Sequence, residues 1–111
     1  MSDDGAEIYE KLAEALVATE PDVDHGRMMS SPAVTVGGKV FAFLAGTKKF
    51  PGMGFRLGRD FDVTGLPDGS WTYLAPFRTK PPMRDWVLVA PDRSDLWPKL
   101  AQTALGLMRS R

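Results

Sequence analysis

The sequence predicts an α+β domain, in which an N-terminal and a C-terminal helix pack in a second layer on an antiparallel sheet of about five strands. Three observations predict it. Apolar residues recur at helical spacing at both ends of the chain, and short β-branched and aromatic runs lie between them. Two of those runs meet at Gly37-Gly38, residues that a tight hairpin turn accepts at positive φ. Helices at the ends of a series of hairpin-forming strands bury their apolar stripes against one sheet.

The first helix is expected over about Asp4 to Ala18, with Ile8, Leu12, Ala15 and Leu16 on one face. Asp3, Asp4 and Glu7 suit the positive end of its dipole, and Pro21 stops it. A polar turn follows, then strands over 33–36 and 39–45. Met53 to Leu57 reads as a third strand. The Gly, Asp and Pro content from Gly58 to Ser70 predicts a loop with one short helical turn. Trp71 to Phe77 is a fourth strand, placed near an edge because Pro76 interrupts it. Trp86 to Val89 is a fifth, behind Pro81-Pro82. The last helix is expected over about Asp95 to Met108, where Pro98 is tolerated near the first turn. Its two adjacent stripes, Leu96/Leu100/Ala104/Leu107 and Trp97/Ala101/Leu105/Met108, make it apolar over a wide arc.

Nothing in 111 residues divides this series, so residues 1–111 read as one domain with one core. The 43% hydrophobic and 25% charged content excludes a disordered chain. With no cysteine, disulfides and thiolate metal sites are excluded. No apolar run is long enough to span a bilayer, and the acidic N-terminus lacks a signal pattern, so a cytoplasmic location is expected. The zero net charge conceals an asymmetry. Residues 1–24 carry eight acids against Lys11, and residues 25–111 balance that −7 with +7.

Val40–Leu44 and Trp86–Val89 do not alternate apolar with polar, so both faces of the sheet are expected to be apolar. Two helices can hardly cover both, which predicts a homodimer through the second face.

Motifs with chemistry are sparse. Gly52-Met-Gly54 lacks the third glycine of a dinucleotide loop, with Leu57 in its place, and reads as a turn. Asp60-Phe-Asp62-Val-Thr64-Gly65 opens like a calcium loop but places Trp71 where the bidentate glutamate belongs, so an Asp-rich turn accounts for it. His25, the single histidine, could act with Asp22 and Asp24 as a base or metal ligand. With no second histidine or cysteine to complete a shell, it reads as a polar turn residue. No catalytic residue, metal site or cofactor is therefore predicted, and the chain is expected not to be an enzyme. The remaining candidates are cationic. Lys48, Lys49, Arg56, Arg78, Lys80 and Arg84 are interleaved with aromatics over 46–59 and 78–84, as a nucleic-acid surface requires.

Four segments, taken in order, resemble a known family: Met28-Met29, Val36-Gly-Gly-Lys-Val-Phe-Ala42, Phe55-Arg-Leu57 and Pro82-Met-Arg-Asp-Trp-Val-Leu-Val89. Together they are similar to the TfoX N-terminal domain group and to the neighbouring YjbR (MmcQ) group, over about residues 8–108. The resemblance implies an α+β sandwich with a curved antiparallel sheet and no catalytic residues to carry over. It also implies a binding domain, with DNA as the partner in YjbR-like proteins and a regulatory role in TfoX proteins. The Gly-, Asp- and Pro-rich stretch around 58–70 departs from the pattern, since a short helix is usual there.

Overall fold

The computed structural model describes residues 5–28, 31–45, 52–58, 61–66, 69–74 and 83–110; the side chains at 45, 74, 83 and 84 are outside that description. Helix α1 (Ala6–Thr19) leads into strands β1 (Val23–Met28), β2 (Ser31–Val36), β3 (Lys39–Ala45) and β4 (Gly52–Arg56). A 3-10 turn at Val63–Gly65 precedes β5 (Trp71–Leu74) and β6 (Met83–Val89), and a second at Pro91–Leu96 runs into α2 (Trp97–Arg109). The strands form one open, curved antiparallel sheet in the order β1-β2-β3-β4-β6-β5. The predicted α+β class is therefore what the chain adopts, with six strands in place of five.

The added strand is β1, where the sequence predicts a polar turn. Val23-Asp-His-Gly-Arg-Met28 carries no run of β-branched residues and lies at a sheet edge, pairing only with β2. Its exposed charges are what an edge strand uses to discourage pairing with another chain. The Gly37-Gly38 turn is as expected, with φ of 59° and 84°. The short Trp71–Leu74 strand does lie at the opposite edge.

Both helices pack on one face. Tyr9, Ala13 and Leu16 of α1 join Trp97, Leu100, Ala101, Ala104 and Leu105 of α2 over Val34, Phe41, Phe55, Val87 and Val89 of the sheet. The α1 stripe is rotated from the predicted one: Tyr9 is 3% exposed, whereas Ile8 is 43% exposed. Tyr9, Ala13 and Leu16 also follow helical spacing, and the tyrosine ring has more area to bury than Ile8. In α2 the wide apolar arc is as read, and Pro98 occupies the first turn.

A smaller cluster of Ala33, Phe43, Trp86 and Leu88 occupies the other face. A β-bulge creates the non-alternating pattern of β3. Val34 pairs with Ala42 but Thr35 with Val40, leaving Phe41 as the extra residue. Phe41 and Ala42 thus both join the helix-side core, while Val40 and Phe43 lie with the second cluster. Phe43 stands edge-on to Trp86, with ring centroids 5.4 Å apart. Gly54 lies between Phe43 and Leu88: a Cβ there would come within 2.9 Å of Leu88 Cδ2 and still closer to the Phe43 ring. Both sheet faces are apolar, as predicted, but the second is buried within the single chain, with Phe43 at 3% and Trp86 at 6% exposure. The doubly apolar strands therefore need no second subunit to cover them.

Candidate binding cleft

Burying Tyr9 and Ala13 on the sheet side of α1 places the next residue of each pair, Glu10 and Glu14, at the rim where the helix overhangs the β1–β2 hairpin. His25 comes from the opposite side. It pairs in register with Val34, whose side chain belongs to the helix-side core, so the histidine lies on the face that α1 covers. Between helix and hairpin lies an open cleft of about 310 Å³, lined by Tyr9, Glu10, Ala13 and Glu14 from α1 and by His25 and Pro32, among others, from the hairpin.

Tyr9 is the polar residue of interest here. Its side chain is buried, yet its hydroxyl has no hydrogen-bond partner among the described residues. An unmatched buried hydroxyl costs about 1–3 kcal/mol, so few are retained without a reason. Burial pushes its pKa up to about 12. Glu10 and Glu14 are exposed and neither takes part in an ion pair among the described residues. One helical turn apart, the two carboxylates repel each other.

Neither acid expected to work with His25 joins it: Asp24 alternates to the other face of β1, opposite Thr35, and Asp22 precedes the strand. Asp22 instead binds Arg109 at the end of α2, whose Nε donates to Oδ2 at 3.0 Å while its terminal nitrogen donates to Oδ1 and to Glu20 Oε1. The Arg109 hydrogen bonds hold the Asp22 carboxyl below the usual range. No cluster of three or more His, Asp or Glu residues arranged for a metal ion exists among the described residues. His25 is a strand residue facing a cleft, not a turn residue, and its neighbours are Glu10, Glu14 and Tyr9. Proximity in sequence missed this grouping because the helix and β1 meet only after the chain turns at Pro21.

The other motifs resolve as packing and turns. Asp62 Oδ1 accepts from Thr64 N at 3.0 Å and from Thr64 Oγ1 at 2.6 Å, an Asx turn opening the 3-10 segment, which also lowers the Asp62 pKa. Gly52 and Gly54 are not turn residues but part of β4, where neighbouring strands leave no room for a Cβ.

Of the six cationic candidates, Lys48, Lys49, Arg78 and Lys80 lie outside the described residues, as does the side chain of Arg84. Arg56 ends β4 opposite Trp86, which sets it on the helix-free face. It is half-buried, and its Nε is buried without a partner. No helix among the described residues is long and apolar enough to cross a membrane. No protein-family description, curated protein or solved structure matches the chain.

Proposed function

We propose that this protein is a non-enzymatic interaction domain, of the TfoX N-terminal or YjbR-like kind and cytoplasmic, that binds its ligand in the cleft between α1 and the β1–β2 hairpin. The observation that carries the reading is the cleft's inventory: His25 and two carboxylates without an ion pair among the described residues line it together with the apolar Ala13 and Pro32. The order helix, antiparallel sheet, helix supports the family resemblance. The test is a set of ¹H–¹⁵N spectra of labelled protein against a small library of cationic, neutral and anionic amino-acid amides. Saturable shifts confined to residues 9–14, 25–26 and 32–33 are expected, and a library with no such member contradicts the reading.

A second reading, nucleic-acid binding, rests on Arg56, half-buried on the helix-free face, together with the basic residues of 46–59 and 78–84. With Lys48, Lys49, Arg78, Lys80 and Arg84, Arg56 would neutralise phosphates and release counterions. Fluorescence anisotropy on short duplexes from about 50 to 200 mM salt tests this, because removing two contacts lowers the salt slope by about 1.8. A homodimer through the helix-free face would need Phe43 and Trp86 exposed in the separate chain; both are buried there, so a dimer would have to use other residues.

A further inference from the structure

We propose that α1 is a hinged strap: it lifts from the sheet as one unit, pivoting on the turn at 20–22, while the remainder of the fold stays closed. The movement goes beyond the reading of the cleft as a binding site and holds whether or not a ligand enters it. Helix α2 holds α1 at both ends. Its first residue, Trp97, lies against Gly5, and its last, Arg109, donates to Asp22 Oδ2 at 3.0 Å and to Glu20 Oε1 at 2.7 Å. The two holds differ in kind. The Gly5 contact is a van der Waals seat that parts as the helix rises, whereas the Arg109 bonds fix the turn on which it pivots.

Between those ends α1 is held lightly. It packs chiefly on β1, an edge strand paired only with β2, whereas α2 spans β2, β3 and β4. Three residues of α1 are buried, Tyr9, Ala13 and Leu16, against five in the slightly shorter α2. Space remains beneath it in the cleft of about 310 Å³. Burial leaves the Tyr9 hydroxyl without a partner among the described residues, and lifting the helix returns that hydroxyl to water. The start of α1 has no side-chain cap, and its last turn carries no basic residue. A lifted helix of this length is marginal in water, so its amides open to solvent. Elements with few buried contacts open well below the cost of global unfolding.

Native-state hydrogen exchange by NMR on the full chain, in urea below the unfolding transition, tests the strap. The amides of residues 10–19 should exchange together and be protected about tenfold less, or weaker still, than those of β3 and β4. Their urea dependence should also be shallower, since lifting one helix exposes less surface than unfolding the chain. Leu88→Val, in the cluster on the other face, should speed exchange in β3 and β4 by about threefold to tenfold. Residues 10–19 should not respond to it, because that cluster is intact while α1 is lifted. Arg109→Met should speed residues 10–19 by about twofold to fivefold. If residues 10–19 share the rate and urea dependence of β4, or accelerate with it in Leu88→Val, α1 opens only with the whole chain and the strap is overturned. Unchanged exchange of residues 10–19 in Arg109→Met overturns the turn at 20–22 as its pivot.

Discussion

The indole of Trp97 lies directly over Gly5. A Cβ built on Gly5 would meet Trp97 Cη2 well inside van der Waals contact and Cζ3 at 3.0 Å. Gly5 also holds φ at 80° as it caps α1, so the start of the first helix is seated on the first residue of the last. Trp97 itself is fully buried, its Nε1 donating to the Val89 carbonyl at 3.2 Å. Replacing Gly5 with alanine combines backbone strain with overpacking against a fixed ring. A loss of about 2–4 kcal/mol is expected in thermal or urea denaturation.

Trp86 anchors the second cluster against Phe43. Trp86→Ala should cost about 3–5 kcal/mol, a large share of the stability of a small domain. A soluble variant with an unchanged melting temperature would mean that the helix-free face contributes little to folding.

How far the sequence reveals this fold depends on where each signal came from. The glycine pair at 37–38 and the apolar arc of the last helix are local patterns, and both are found as read. Strand β1 was illegible because an exposed edge strand needs only its ends, Val23 and Met28, to be apolar. The stripe on α1 is rotated by about one position from the aliphatic pattern because the Tyr9 ring is buried with Ala13 and Leu16. Only with Tyr9 inward do Glu10 and Glu14 come to line the cleft that His25 also lines. Arg56 alone of the cationic candidates has a described side chain, and nothing in its sequence context marks the missing partner of its Nε.

Tyr9 should make the protein sensitive to alkali. Its folded pKa, about 12, is above the ordinary value of 10.0 because burial disfavours the phenolate. The unfolded chain therefore loses this proton first, so stability is full below pH 10.0 and falls as pH rises towards about 12. Tyr9→Phe should flatten that fall. Because the hydroxyl has no partner, the variant should also be as stable as wild type at neutral pH, or more stable by about 1 kcal/mol. Urea midpoints from pH 8 to pH 11 for both proteins check this.

Arg109 joins the two ends of the chain through Asp22 and Glu20. The Asp22 pKa is lowered in the folded state, so its contribution is present above the ordinary value of 3.8 and is lost as pH falls through the folded value. All three groups are solvent-accessible, so the effect on melting temperature should be small and further reduced by salt. Arg109→Met should lower the melting temperature slightly at neutral pH and low salt, and not at all at the acid end of the titration.

The most direct test of the α1–hairpin cleft as a binding site is a ¹H–¹⁵N titration of Glu14→Trp beside wild type. The account predicts that a library member giving saturable shifts at residues 9–14, 25–26 and 32–33 in wild type gives none in Glu14→Trp, whose indole occupies the cleft that residue 14 lines. Equal shifts in the two proteins, or none in wild type, would contradict it.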